Sequence, residues 1–210
     1  MYTLFGSRGS GSAIIELALE HARLPYRLVR ASSWEPDSAQ EELRRHNPLL
    51  QIPTLVLPDG AVLSESAAIL IHLGLAHPES RLLPDAAAAR AQTLRGLVFI
   101  AANCYAAIGV GDFPERWCAD IDESARDRIV RGARAQLHRC WEMFADQFPA
   151  RPFLGGASPD ALDLMALVVS RWSGSRAHLA ARRPDFHALL LRLEALPELA
   201  PVLARHWPPG

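Results

Sequence analysis

The hydrophobic pattern changes character once along this chain, and that change limits the folds open to it. Up to about residue 77, short apolar runs alternate with helical periods. Residues 2–5 read as a strand and residues 6–11 as a Gly/Ser loop. Residues 12–23 read as a helix with Ile14, Ile15, Ala18, Leu19 and Ala22 on one face and Glu16, Glu20 and Arg23 on the other. A second strand covers 26–30, and 37–46 is a polar helix or turn. Residues 54–57 and 61–63 form a hairpin around Asp59-Gly60, and 67–76 is a third helix. The order is βαβ and then ββα, a parallel pair followed by an antiparallel pair in one small sheet. After a Pro-bounded linker at 78–85 no strand pattern remains. Leu94, Leu97, Val98, Ala101, Tyr105 and Ile108 fall at helical spacing. So do Ile129, Ala133, Leu137, Trp141, Phe144 and Phe148, and shorter helices follow at 160–172, 184–195 and 197–206. The second part, 86–210, is a helical bundle.

Composition removes several function classes. The net charge is −1, which argues against a nucleic-acid footprint. The arginines at 126, 128, 131, 134 and 139 interleave with Asp122, Glu123 and Asp127 and read as a solvated helix face. Lysine is absent, so neither a phosphate loop ending in Gly-Lys nor a Schiff base is available. Cys104, Cys118 and Cys140 form no C-x-x-C pair, and the histidines show no ligand spacing, so no metal is expected. The apolar runs fall short of the roughly 20 residues of a membrane span. The opening residues MYTLFGSRGS lack a basic segment followed by an apolar stretch, so a cytoplasmic protein with reduced thiols is expected.

The stretch NPLLQIPTLVLPDGAVLSESAAI, residues 47–69, holds two oddities. Pro53 sits at the mouth of a strand, where the ladder wants an N–H. Ser64-Glu65-Ser66 stands directly before an apolar helical run. Separately, these are an edge-strand proline and an ordinary helix cap. Together, in a thioredoxin-like sheet, a cis proline turns the backbone of Ile52 outward to pair with an extended peptide, and Ser66 opens a helix whose free N–H groups favour an anion. That is a slot for a small peptide with a carboxylate at one end.

The segments LFGS, NPLLQIPTLVLPDG, LSESAAILIHL and RPFLGGASPDALDLMAL together resemble a cytosolic glutathione transferase of bacterial, serine type, over essentially the whole sequence. The resemblance implies an α/β thioredoxin-like domain (βαβαββα) at 1–77, a linker at 78–85 and an all-helical domain at 86–210. It implies glutathione as co-substrate, bound with Ile52 against the cysteinyl backbone, Pro53 cis, Glu65 and Ser66 at the γ-glutamyl end, and Gln51 and Trp34 toward the glycyl end. It implies a homodimer and attack of the glutathione thiolate on a small hydrophobic electrophile. A glutathione-dependent isomerase or dehalogenase, or a non-catalytic binding or stress-regulatory protein, would use the same site. Asp160 stands where the family usually has Ser or Thr, and with Asp163 it is expected to form a structural capping box.

Only the thiolate is a strong nucleophile, and the reference thiol pKa is about 8.5, so the site needs a donor to the sulfur. The loop offers Ser7, Ser10 and Ser12. Ser10 falls at the count where serine-type classes place their catalytic residue; Ser12 is also the natural helix N-cap, and backbone groups alone remain an alternative. Gly11 stands near where cysteine-type classes carry their thiol, which speaks against thiol transfer. Phe99, Asn103, Tyr105 and Trp117 are candidates for the electrophile site or, equally, for bundle core. Gly109 and Gly111 suggest that the helix breaks near there, with GDFPERW as a loop able to cover the site.

Overall fold

The computed structural model describes residues 1–208. Strand β1 (Tyr2–Gly6) lies inside a four-stranded sheet of order β2-β1-β3-β4, with β2 at Tyr26–Arg30, β3 at Thr54–Val56 and β4 at Val62–Ser64. The β1–β2 pair is parallel and places Tyr2 opposite Tyr26, while β3 is antiparallel to both its neighbours, with Leu55 between Leu4 and Leu63. A parallel pair needs a crossover, and helix α1 (Ser12–His21) supplies it. Helix α2 (Gln40–His46) links β2 to β3, and α3 (Ser66–Ala76) follows β4. This is the thioredoxin-like order expected. The pleat explains the two faces: Leu4 and Leu55 join the main core with α1 and α3, whereas Phe5 points the other way, onto Ala31 and Leu43 of α2.

The helical half starts with α4 (Ala87–Phe99), passes through a π-helical turn at Ile100–Tyr105 and continues as α5 (Ala106–Asp112). Helices α6 (Glu123–Gln147), α7 (Ala161–Val169), α8 (Ser175–Arg182), α9 (Pro184–Glu194) and α10 (Ala200–His206) complete it. All nine residues of α7 are buried. It packs against α1 and α3 on one side and α4 and α9 on the other, so a single apolar core runs through both halves. Asp160 caps α7 by accepting the N–H groups of Leu162 (2.8 Å) and Asp163 (3.3 Å), and Asp163 reciprocates on the Asp160 N–H (3.1 Å). The Thr93 hydroxyl donates to Asp160 at 2.7 Å, tying the box to α4.

Helix α5 does end near Gly109 and Gly111, as expected: it packs against α6 and stops at Asp112, with Phe113 as its cap before Pro114. Three expectations need correction. Helix α8 is absent from the sequence reading because SRAHLAAR is short, carries one large apolar residue and buries only Ser175 and Leu179. Ala87–Asp112 is a helical run of 26 residues, long and apolar enough by composition to cross a membrane, although no uninterrupted apolar stretch announces it; in this fold it packs against α6 and α7. Glu16, placed on the polar face of α1, is 1% exposed because α10 covers it.

Candidate functional site

A cleft of about 690 Å³ opens between the starts of α1 and α3 on one side and the π-turn and α5 on the other. The serine loop forms its floor. Ser10 Oγ donates to the Ser7 carbonyl at 2.7 Å and accepts the Ser12 N–H at 3.2 Å. Ser12 Oγ lies 2.9 Å from Ser10 Oγ, accepts the Ser7 N–H at 3.2 Å and lies 3.1 Å from the Ser7 carbonyl. The Ser7 hydroxyl turns away and donates to Glu35 at 2.7 Å. That bond, with the Arg30 guanidinium beside it, holds the Glu35 carboxyl below the usual carboxylate range. The expected side-chain N-cap at Ser12 is therefore corrected: Gly11 occupies the cap position, Ser12 is the first helical residue and its hydroxyl points back into the loop. Among the described residues, the N–H groups of Ser10 and Gly11 find no acceptor.

The loop is pinned from the far end of the chain. Gly9, at φ +67°, donates its N–H to His206 Nδ1 at 3.1 Å, so the proton of that ring sits on Nε2, which donates to Glu16 at 2.6 Å. Arg205 reaches the same carboxylate at 3.3 Å. Helix α10 thus fixes both the loop and the first turns of α1.

Across the cleft mouth, Asn47 and the Thr54 hydroxyl both bond the Gln51 carbonyl, at 3.1 and 2.8 Å, and orient the turn that leads into β3. The Ile52–Pro53 bond is cis, as the resemblance implies, and the N–H and C=O of Ile52 have no partner among the described residues. Gln51, Ile52, Pro53 and Trp34 all line the cleft. Glu65 precedes α3 at φ +67°, a conformation unfavourable for a residue with a side chain and one that clusters at ligand sites. Ser66 then opens α3. The N–H groups of Ser66, Ala67 and Ala68 lack acceptors among the described residues, and Ile69 is the first to bond back, to the Glu65 carbonyl. Three unpaired N–H groups and the positive end of the helix dipole favour negative charge at this end of the cleft.

The opposite wall comes from Ala101, Tyr105, Ile108 and Asp112, with Met165 and Trp172 behind. Steps of four, three and four residues keep one helix face toward the cleft. Phe99 and Asn103 lie two residues off that register and stand outside it. Phe99 packs on Phe144 and Phe148 in the core, with centroids 5.7 and 6.2 Å away, and the exposed Asn103 amide bonds the Phe99 carbonyl at 3.0 Å. Trp117 is 67% exposed and also lies outside; from that loop it is Phe113 and Arg116 that line the cleft. Of the four electrophile-site candidates the cleft keeps only Tyr105. Arg8, Leu50, Met165 and Trp172 were missed. The last two sit in and after a run that reads as pure core, and only the packing of α7 across the two halves brings them to the cavity. Burial raises the Asp112 carboxyl, the one acidic group on the α5 wall.

The profile of the glutathione S-transferase N-terminal domain matches residues 12–75. The GST-like protein YncG of Escherichia coli K12 is 30% identical over 208 residues, covering 98% of both chains. The chain belongs to the glutathione S-transferase family. A glutathione transferase homologue from Sulfitobacter, solved with bound glutathione, superposes with a TM-score of 0.83 at 23% identity, covering 96% of each chain. A glutathione S-transferase of Methylobacterium radiotolerans, solved with glutathione sulfonate, is 28% identical with a TM-score of 0.75, over 96% of this chain and 93% of that one. For this family member, the likeness extends through both the sheet and the helical bundle.

Proposed function

We propose that this protein binds glutathione in the cleft and conjugates its thiolate to small hydrophobic electrophiles. One observation carries the reading: three unpaired backbone sets converge on a single cavity. These are the start of α3 at Ser66, the free peptide groups of Ile52, and the N–H groups of Ser10 and Gly11 at the start of α1. They match the α-carboxylate, the cysteinyl peptide and the sulfur of glutathione in order. Glu65 stands beside the α-amino group, and Trp34 and Gln51 lie toward the glycyl end. The glutathione sulfonate seen in the Methylobacterium enzyme supports the same ligand class.

In the reaction, the bound thiol loses its proton to solvent. The sulfur then attacks an electron-poor carbon, the new S–C bond forms and the leaving group departs with its electron pair. The positive end of α1 stabilises the thiolate. The apolar wall of Ala101, Ile108, Phe113, Met165 and Trp172 supports a hydrophobic acceptor. Ser10 is the loop hydroxyl best placed by sequence position to serve the sulfur, and to do so it must release the Ser7 carbonyl. A homodimer goes with the reading, supported by apolar side chains left exposed at Leu75, Val98 and Met143, and light scattering tests it.

The test is retention on immobilised glutathione with elution by the free peptide, followed by turnover of 1-chloro-2,4-dinitrobenzene. Retention with chloride release and thioether formation supports a transferase. Retention without turnover of any electrophile makes the protein a binding module. Failure to be retained removes glutathione from the account.

A further inference from the structure

We propose that the electrophile this cleft accepts carries a carboxylate remote from its reacting carbon, held by Arg8 and Arg116 at the cleft mouth. The inference rests on the glutathione reading and names the acceptor class for that site. Both arginines line the cleft, Arg8 from the serine loop on the floor and Arg116 from the turn Pro114–Arg116 that follows α5. Neither forms an ion pair among the described residues, because the acids of the neighbouring segments are committed elsewhere. Glu35 pairs with Arg30 at 2.9 Å, and Glu16 and Glu20 pair with Arg205 at 3.3 and 3.4 Å. Glu115, adjacent to Arg116, pairs instead with Arg126 of α6 at 3.3 Å. Asp112, on the same wall as Arg116, has its carboxyl raised by burial, so it opposes a bound anion less than an ordinary carboxylate would. Glu65 stands at the other end of the cleft, beside the start of α3.

Both cations are held in place. Arg8 Nε donates to the Arg205 carbonyl at 3.0 Å, and its terminal N–H groups have no partner among the described residues. The Arg116 guanidinium lies over the Phe113 ring, 4.0 Å from its centroid, and that ring itself lines the cleft. A guanidinium stacked on a ring keeps its in-plane N–H groups for the paired hydrogen bonds that suit a carboxylate. The remaining wall is apolar, with Ile108, Met165 and Trp172. An acceptor that fits both features has a hydrophobic body and an acid at the end far from the sulfur. With 4-chloro-3-nitrobenzoate as probe, the glutathione thiolate attacks the chlorine-bearing carbon, the S–C bond forms and chloride leaves with the C–Cl electron pair. The thiol proton has gone to solvent, and the carboxylate is unchanged.

The experiment compares two conjugates of one shape and different charge, S-(4-carboxy-2-nitrophenyl)glutathione and its carboxamide, S-(4-carbamoyl-2-nitrophenyl)glutathione. Isothermal titration measures both, and S-methylglutathione as reference ligand, on wild type, Arg8→Gln, Arg116→Gln and the double variant. Both arginines are exposed, so each ion pair is expected to contribute about two- to fivefold, and wild type binds the acid about 4–20-fold more tightly than the amide. Each single variant loses part of this preference, the double variant loses all of it, and raising salt from about 0.05 to about 0.5 M shrinks it in wild type. S-methylglutathione binds all four proteins within about twofold, as expected of groups that touch only the acceptor. Conjugation rates of 4-chloro-3-nitrobenzoate and its amide, each divided by the uncatalysed rate, follow the same order. The proposal is overturned if wild type binds the two conjugates equally, or if the preference survives in the double variant. It is overturned also if Arg8→Gln weakens S-methylglutathione as much as the acid conjugate, which would give that guanidinium to the glycyl carboxylate. Those results leave the glutathione reading standing, whereas a wild type that binds neither conjugate nor glutathione overturns both.

Discussion

Replacing Ser66 by Ala tests the anion end of the cleft with little disturbance to the fold. Ser66 is the first residue of α3, and its hydroxyl makes no capping bond within the protein, so its removal leaves the helix intact. What it removes is one donor to the γ-glutamyl carboxylate. A hydrogen bond to a charged group contributes about 1.5–3 kcal/mol, and each 1.4 kcal/mol is about tenfold in affinity, so the upper range is about 10–150-fold. The unpaired N–H groups of residues 66–68 and the helix dipole remain, the dipole alone contributing about 0.3–1 kcal/mol, which places the expected loss near the lower end, about 10–30-fold. Isothermal titration with glutathione and with S-methylglutathione measures it. Both ligands lose affinity by the same factor, because the group lies at the end of the peptide remote from the sulfur. The reasoning fails if Ser66→Ala binds glutathione as tightly as wild type, or if the loss appears with glutathione and not with its S-methyl form.

The remaining predictions concern the framework. Asp160→Ala removes the cap of α7 and leaves the buried Thr93 hydroxyl unpaired, lowering stability by about 2–4 kcal/mol in urea unfolding. Burial and the Asp160 charge raise the Asp163 carboxyl above its value in the unfolded chain. The folded state therefore binds that proton more tightly, and the resulting stabilisation is complete below the unfolded pKa and fades as pH rises through the folded one. Wild type should gain stability relative to Asp163→Asn as pH falls from neutral toward 4, and the opposite slope would contradict the sign. His206→Leu deprives the Gly9 N–H and the buried Glu16 of their partner, lowering stability by about 1–3 kcal/mol and weakening glutathione binding, both measurable on the same preparation.

Legibility in the sequence followed the range of the forces involved. The sheet order, the turn at Gly60 and the cap at Asp160 are written in local patterns a few residues long, and they were readable. So were Ile52, Pro53 and Ser66, because a strand-opening proline and a serine before an apolar helix each carry a local signature. The helical wall was not. Tyr105, Phe99 and Asn103 share one segment, and a turn of register decides which of them faces the cleft; the π-turn that sets this register leaves no compositional mark. Met165 and Trp172 follow from α7 being sandwiched between the two halves, a contact between distant segments. The burial of Glu16 depends on His206, 190 residues away along the chain.

A crystal structure of the protein with glutathione tests the central claim most directly. The account predicts the γ-glutamyl carboxylate on Ser66 and the start of α3, the cysteinyl peptide paired with the backbone of Ile52, and the sulfur at the start of α1, beside the N–H groups of Ser10 and Gly11. Density for glutathione elsewhere on the surface, or its carboxylate remote from Ser66, would contradict it.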